Sequence, residues 1–178
     1  RWLDQRQTHK VRELPLLEEI ARWLLDQQPE CAHASLIHCD FHLDNCLVGR
    51  TQPSLVGILD WEMATLGDPL IDLGLCLFFW KRDPAQPLGF GHVQSLTNRD
   101  DVMSAEALAD LWSDLTGFDH GSLTYYKVFA AWRLAAIVEG AYILHRQGQD
   151  DRPYARNLEH DVPNLLREAA AHIDRKGV

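Results

Sequence analysis

Cysteine is scarce in this sequence of 178 residues, which contains four cysteines and no pair separated by two residues. A fold held together by disulfides is therefore not indicated, and the composition fits a reduced, cytoplasmic protein. A structural zinc site is not indicated either, because such sites usually pair their ligands at short, regular spacings. The six candidate ligands do not form two such pairs: Cys31, His33, His38, Cys39, His42 and Cys46.

Positive charge is also in short supply, since 17 lysines and arginines stand against 26 acidic residues, for a net charge of -9. So acidic a chain is poorly suited to holding nucleic acid or an anionic membrane by bulk electrostatics. A nucleotide can still bind, because magnesium and local donors outweigh net charge at close range. No apolar run approaches the roughly 20 residues that span a bilayer, so we expect no membrane partner.

The start of the chain, RWLDQRQTHK, has neither an initiator methionine nor the apolar segment of a signal peptide. We therefore expect the chain to be a piece of a longer one. With 46% hydrophobic and 24% charged residues, the composition is ordinary for a globular chain that buries a core. The length suits one domain or one large lobe.

Hydrophobic periodicity predicts a mostly helical chain with one small β-hairpin. A helix is predicted within residues 11–28, with Pro15 near its start and Pro29 after its end. Two short apolar segments, 46–48 and 55–59, flank a Gly- and Pro-containing turn and predict the hairpin. Four further helices and one loop are predicted: a helix over 72–81, a long loop over 82–101, helices from Ser104 to about Thr116 and from Ser122 to near Gly148, and a last helix, broken or kinked at Pro163, to near Lys176.

Three polar clusters bracket the predicted hairpin: HCDFHLDN at 38–45, LDWE at 59–62 and GDPLID at 67–72. A hairpin returns the end of its second strand beside the loop before its first, so Asp60 should approach Asp40 and Asn45. Phosphoryl transfer needs an acceptor for the hydroxyl proton and oxygen ligands for magnesium. Asp40 can accept that proton, while Asn45 and Asp60 can offer oxygen atoms to the metal.

The order of these motifs resembles that of a known family. H-x-D-x-x-x-x-N followed by D-W-E is similar to the catalytic and metal-binding motifs of the aminoglycoside and choline phosphotransferases, which are protein-kinase-like small-molecule kinases. HCDFHLDN together with LDWEMATLGDPLIDLG is most similar to the kinase-like domains of acyl-CoA dehydrogenase family members 10 and 11. The resemblance covers about residues 36–75. It implies an α+β, mostly α fold, the C-terminal lobe of a protein-kinase-like fold, whose hairpin carries the catalytic and metal-binding loops.

The resemblance also implies roles for individual residues, with ATP and Mg²⁺ as cofactors and a hydroxyl group of a small molecule as the acceptor. Asp40 would be the catalytic aspartate. Asn45 and Asp60 would bind the metal and, through it, the nucleotide, with help from Glu62. Two residues would support the loop, by orienting it and by binding its backbone: His38 and Asp72.

Several parts of the family pattern differ or are absent. Cys39 stands where the family usually has glycine, and no Gly-rich phosphate loop or strand lysine precedes the catalytic loop. We therefore expect residues 1–178 to be a single C-terminal lobe without its N-terminal nucleotide lobe. The apolar face that such a lobe covers would be exposed, which favours self-association. Residues 101–178 would form a helical acceptor-side subdomain, and the resemblance implies hydroxyacyl-CoA, aminoglycosides or choline-like alcohols as acceptors.

Each of these residues also has a simpler interpretation. Asp40 and Asn45 alone would suit a polar loop with an Asx-type turn, and Glu62 a solvated carboxylate. His42 could contact phosphate or substrate, or be an ordinary surface histidine. For the whole chain, the alternative to an enzyme is a non-catalytic, pseudokinase-like interaction module or a truncated fragment. The presence of Asp40, Asn45 and Asp60 together favours the enzyme.

Overall fold

The computed structural model describes residues 11–81 and 95–174. These residues form two compact units. The helical unit comprises residues 11–28 and 128–174, and the sheet unit comprises residues 29–81 and 95–127. Most of the predicted loop at 82–101, and the predicted helix end beyond Asp174, lie outside the described residues.

The helical unit is built from three helices: α1 (Pro15–Asp26), the greater part of α4 (Leu123–Arg146) and α5 (Pro153–Asp174). Pro15 lies in the first turn of α1, where its missing N–H removes no helical hydrogen bond. Helix α1 packs against α5, and the indole of Trp132 on α4 donates to the carbonyl of Leu17, 2.8 Å away. Helix α5 is continuous through Pro163, so of the two predicted alternatives, a break or a kink, the break does not occur.

Helix α4 corrects the expectation that no apolar stretch approaches the length of a membrane span. By length and composition alone, Leu123–Arg146 could cross a bilayer. A core helix of a globular protein passes the same test, and 44% of the most apolar window of α4 is buried within the protein. The helix also carries Arg133 and a buried glutamate, Glu139. One such helix is weak evidence for a membrane segment.

The buried glutamate is held by an arginine from the start of the described chain. Glu139 is only 2% exposed, and both of its carboxylate oxygens accept from Arg12 Nε, at 3.2 and 3.1 Å. The same guanidinium donates to the carbonyls of Leu158 and Glu159 and lies 3.9 Å from the centre of the Tyr142 ring. Arg12 therefore joins the segment before α1 to both α4 and α5.

The sheet unit contains four short strands in two antiparallel pairs. The predicted hairpin is confirmed: β2 (Cys46–Val48) pairs with β3 (Leu55–Ile58), with a register shift after Leu47. A second pair, β1 (Ser35–Ile37) with β4 (Thr65–Gly67), is not predicted by the sequence, so the expectation of a single hairpin is incomplete. The β2–β3 hairpin lies in sequence between β1 and β4. Two nested ladders therefore fix the loops at 38–45 and 59–64 at one end of the β1–β4 pair.

Two further helices complete this unit, α2 (Leu70–Phe79) and α3 (Ala105–Thr116), together with the first residues of α4. As predicted, Ser104 caps α3 by accepting from the Ala107 amide, and Gly117 ends the helix in a left-handed conformation. The core of the unit combines residues of all three helices: Leu70, Leu73, Leu77, Ala109 and Tyr126.

Helices α2 and α4 meet so closely that one position on α2 requires glycine. A Cβ on Gly74 would lie 2.7 Å from Tyr126 Cβ and 2.9 Å from its carbonyl carbon and oxygen. Tyr126 is fixed from its other end, because its hydroxyl donates to Asp68 Oδ2 at 2.8 Å. Burial, and then this bond to Asp68, raise the pKa of the Tyr126 phenol. Asp68 also accepts from the Leu70 amide at the start of α2, so it is a turn residue, as its position before Pro69 indicates.

Candidate active site

The loop that follows β1 is fastened by a carboxylate on α2. Asp72 accepts the backbone N–H groups of His38 and Cys39, at 2.6 and 2.8 Å. Hydrogen bonds from two amides to one charged acceptor are among the stronger polar contacts in proteins. Asp72 is therefore placed to hold the backbone just before Asp40.

His38 joins this loop to the one that follows β3. The side chain is 2% exposed, and its Nε2 lies 2.6 Å from the carbonyl oxygen of Leu59. Its Nδ1 accepts the backbone N–H of Asp40 at 3.2 Å. These partners require a hydrogen on Nε2 and a lone pair on Nδ1. The ring also packs 4.8 Å from that of Trp61, so both of its nitrogen atoms and its face are in use.

Asp40 and Asn45 are bound to each other on the 38–45 loop. The Asn45 amide nitrogen donates to the Asp40 carbonyl at 2.8 Å and to Asp40 Oδ2 at 3.2 Å. The short helical turn Leu43–Asn45 makes this contact possible by bringing the chain back toward Asp40. The Asp40 side chain remains 39% exposed, so its carboxylate can be reached by a ligand. With its nitrogen on Asp40, the amide of Asn45 keeps its oxygen, Oδ1, for another partner.

Asp60 is brought to this pair by its neighbour Leu59. The Leu59 N–H donates to the Asn45 carbonyl at 2.8 Å, and the Leu59 carbonyl lies against His38. Asp60 follows with a φ of 65°, in the left-handed region, and begins the short turn Trp61–Met63. The structure thus brings the 59–62 loop to the 38–45 loop. Asp60 and Glu62 are both exposed.

Backbone strain concentrates at this site. Within residues 11–81 and 95–174, three residues other than glycine have a positive φ, and two of them are Cys39, at 67°, and Asp60. A left-handed conformation costs an L-residue with a Cβ roughly 1–2 kcal/mol, and glycine avoids the cost. This explains why glycine suits the position of Cys39, and why the loop needs the fastening that Asp72 provides.

Two thiols lie close to the loop and act as packing groups. Cys76 is on α2, and burial raises the pKa of its thiol to about 12, with smaller contributions from the nearby Cys46 and Asp72. Burial also raises the pKa of the Cys46 thiol. Both side chains are therefore neutral at physiological pH, and neither behaves as a nucleophile.

The residues present fit a magnesium ion that is shared with phosphate. Among the described residues, no three His, Cys, Asp or Glu side chains are grouped so that they could hold a metal by themselves. Magnesium usually takes only one or two carboxylates and fills its remaining positions with phosphate and water. The exposed Asp60 carboxylate, the Asn45 amide oxygen and the nearby Glu62 match that donor set.

Sequence reasoning misses two contributors to this arrangement. The β1–β4 ladder, which fixes both loops, is missed because three-residue strands carry almost no periodic signal. For His42, the sequence does not choose between a surface role and a ligand-contacting role. In the structure its side chain is 15% exposed and faces Asp40, Asp44 and Asn45. The only sequence signal for a ligand-contacting role is the spacing of three residues between His42 and Asn45, which places the two side chains on the same side of a helical turn.

Comparisons with known proteins show which family this chain is similar to in sequence and which fold it shares. The model of the phosphotransferase enzyme family matches residues 1–103, which is more than half of the chain. Acyl-CoA dehydrogenase family member 11 of Rattus norvegicus is 28% identical over 154 residues, or 84% of this chain. Acyl-CoA dehydrogenase family member 10 of Mus musculus is 26% identical over 154 residues, or 83% of the chain. The chain spans only 19% and 14% of the length of these two relatives.

A solved structure shares the fold. It is a chain from Ralstonia eutropha assigned to the aminoglycoside phosphotransferases, with a TM-score of 0.79 and 24% identity. The match covers 96% of this chain and 53% of that one. The predicted α+β, mostly helical fold of a kinase-like C-terminal lobe is confirmed, as is the resemblance in sequence.

Proposed function

We propose, from the premise that this chain belongs to the phosphotransferase enzyme family, that it carries the catalytic loops for transfer of the γ-phosphate of ATP to a hydroxyl group of a small molecule. The observation that carries the proposal is the junction at Leu59. Its N–H is bound to Asn45 and its carbonyl lies against His38, so the residue that precedes Asp60 is held against the catalytic loop from both sides.

Asp40 is the residue that orients the acceptor hydroxyl and accepts its proton. Phosphoryl transfer asks for positioning and charge stabilisation more than for covalent chemistry. The carboxylate is accessible, and one of its oxygens is anchored by the Asn45 amide. We assign this exposed carboxylate to the acceptor hydroxyl.

Asn45 and Asp60 would hold magnesium, and Glu62 would assist through the water around the ion. When bound, the ion neutralises the charge of the phosphates and fixes their orientation. The protein supplies part of this geometry, because Asn45 and His38 hold Leu59, the residue before Asp60, against the catalytic loop. The left-handed backbone at Asp60 is part of that fixed geometry.

The acceptor class is the most specific part of the proposal. We rank hydroxyacyl-CoA first, because the curated relatives named above are acyl-CoA dehydrogenase family members. Aminoglycosides and other amino alcohols come second, because the structural match is assigned to the aminoglycoside phosphotransferases. We propose residues 101–178 as the acceptor side of the protein.

Transfer of labelled γ-phosphate from ATP tests the proposal, using the natural protein that contains this chain. The acceptors tested would be hydroxyacyl-CoAs, aminoglycosides and choline, and transfer to water would be measured as hydrolysis of ATP. Asp40→Asn should lower kcat about 100- to 10,000-fold, the usual contribution of a positioned general base. Asp26→Asn, at an exposed position at the end of α1, is the matched control and should retain full activity.

The alternative, a non-catalytic interaction module, makes a different prediction for the same experiment. It predicts neither transfer to any acceptor nor hydrolysis of ATP, and no binding of Mg·ATP by calorimetry. Binding of Mg·ATP that Asp60→Asn weakens would reject the module even where the acceptor had not been found. Absence of both binding and turnover would reject the kinase.

A further inference from the structure

His42 carries an anomaly that the proposed roles of the site leave unexplained. Its Nδ1 is fully buried without a hydrogen-bond partner, and no other buried side-chain nitrogen or oxygen in residues 11–81 and 95–174 shares that state. Buried polar atoms in folded proteins are nearly always paired, so an exception calls for a physical reason.

The imidazole of His42 lies between two carboxylates. Its Nε2 is 3.6 Å from Asp40 Oδ2, and its Nδ1 is 3.8 Å from Asp44 Oδ2. Nε2 is also 3.5 Å from the Asn45 amide nitrogen. Both contacts to oxygen are slightly longer than hydrogen bonds, and such contacts in active sites often shorten when ligands bind.

The ring is held in this position by the rest of the loop. Its centre lies 5.4 Å from that of Phe79, a buried residue at the end of α2. The His42 carbonyl accepts the N–H of Asn45 at 3.0 Å, which fixes the backbone at the start of the turn Leu43–Asn45. The packing against Phe79 therefore leaves the edge of the ring directed at Asp40.

We infer that His42 is a positioning residue for Asp40, an inference that rests on the proposed function. Nε2 donates to Asp40 Oδ2, so that the carboxylate is fixed by His42 on one side and by the Asn45 amide on the other. Nδ1 in turn donates to Asp44 Oδ2, which requires a hydrogen on each ring nitrogen and accounts for the buried nitrogen. With Oδ2 held twice, the orientation of the exposed carboxylate toward the acceptor hydroxyl is fixed.

Two amide substitutions separate the roles of the two ring nitrogens. Glutamine can place its amide where Nε2 lies, whereas asparagine reaches only the position of Nδ1. We expect His42→Ala and His42→Asn to lower kcat about 10- to 100-fold, in the range of other residues that orient a catalytic group. His42→Gln should recover most of the activity. The affinity for Mg·ATP should change less than threefold in all three variants.

The control is His33→Ala, which removes an exposed histidine of the same unit whose ring stacks on Phe118. It should leave kcat unchanged. Thermal unfolding of the variants is measured in parallel, because a purely structural role for His42 would lower stability without distinguishing glutamine from asparagine. Equal losses in His42→Gln and His42→Asn would overturn the inference. So would a rise in the Mg·ATP dissociation constant with kcat unchanged.

A second measurement decides the contact without any activity. The ring nitrogens of His42 are followed by nitrogen-15 NMR, with His42→Gln for assignment. Asp40→Asn should shift Nε2 and Asp44→Asn should shift Nδ1. Asp110→Asn, which removes a carboxylate 3.0 Å from His120 Nε2, should move only the signals of His120. An Nε2 signal insensitive to Asp40→Asn refutes the role of His42. If the shifts occur but the wild type transfers no phosphate and does not bind Mg·ATP, the proposed function fails while the contact stands.

Discussion

Glu139 in the helical unit and Asp60 in the sheet unit show two opposite uses of a carboxylate. Glu139 is 2% exposed and is bound by the guanidinium of Arg12, which also binds two backbone carbonyls. Asp60 is exposed, has a strained left-handed backbone and has no cationic partner among the described residues. A buried charge must be paired to be tolerated, whereas an exposed, unpaired charge is left available to a ligand.

The same contrast holds for how each unit is fastened. In the helical unit, apolar side chains on α1 and α5 pack together, and the ion pair of Arg12 with Glu139 joins the segment before α1 to α4. In the sheet unit, the loops are held by polar groups that bind backbone, Asp72 on one side and His38 on the other. Because Asp72 and His38 bind backbone groups of the two loops, the exposed side chains of these loops are left available to contact a substrate.

The largest effects are expected when one carboxylate in each unit is neutralised, which tests the contrast between Glu139 and Asp60 directly. Glu139→Gln removes the counter-charge of Arg12 and should cost about 3 kcal/mol, the lower end for a broken buried pair, because two carbonyls remain. The melting temperature should fall by about 6–12 °C. Asp60→Asn should leave the melting temperature unchanged, since asparagine tolerates a left-handed backbone. It should lower kcat roughly 100- to 1,000-fold.

Calorimetric melting and phosphoryl transfer on both variants provide the check. The predicted contrast would be wrong if Glu139→Gln had the same melting temperature as the wild type, or if Asp60→Asn were fully active. Glu19→Gln would serve as a further control, since this residue is an exposed acidic side chain on α1 of the helical unit.

A smaller effect is expected from adding one methyl group to a helix in each unit. Gly74→Ala forces Cβ to within 2.9 Å of the Tyr126 backbone and should destabilise the protein by about 1–3 kcal/mol. On α4, a Cβ added at Gly140 would have no atom within 4 Å, so Gly140→Ala should stabilise the protein by about 0.5–1 kcal/mol. Urea titration of both variants measures the difference. Equal stabilities would mean that α2 and α4 do not approach as closely as described.

The exposed face of the ladders offers a third test. Leu36 and Leu66 are directly paired across β1 and β4 and are 64% and 77% exposed, while Ile37 on the other face is 2% exposed. An exposed apolar pair of this kind favours self-association. We expect the isolated chain to self-associate at high concentration. Leu66→Lys should raise the dissociation constant at least tenfold, about 1.4 kcal/mol.

Leu115→Lys is the matched control, because Leu115 is 78% exposed but lies on α3, away from the two ladders. It should leave the dissociation constant unchanged. Sedimentation equilibrium of the three proteins would measure it. A chain that stays monomeric at every concentration would contradict the prediction.

The smallest effect concerns the strained residue before Asp40. Cys39→Gly removes the cost of a left-handed Cβ, but glycine also gains freedom in the unfolded chain, so the net stabilisation should be about 1 kcal/mol or less. Activity should be retained, because the amide that binds Asp72 is still present. Thermal unfolding and kcat would show this. A clear loss of stability would mean that the Cys39 side chain makes a contact that outweighs the strain.

The candidate residues of the site can be identified from the sequence because the motif specifies both the residue types and the spacing between them. The motif alone singles out Asp40, Asn45 and Asp60, and the apolar strands and their turn predict the hairpin that brings Asp60 back. Helix α3 is bounded at both ends by its own caps, Ser104 and Gly117. His42 cannot be placed in this way, because its environment depends on Phe79 of α2, far along the chain.

The sequence by itself determined the family, the helices and the residue types available for chemistry, because these depend on patterns within a few residues: periodicity, caps and a motif of fixed spacing. The tertiary structure alone decided the β1–β4 ladder, the left-handed backbone of Cys39 and Asp60, the pairing of Arg12 with Glu139 and the position of His42. Each of these depends on segments far apart in the chain, and their packing selects one contact among many that the local sequence allows equally.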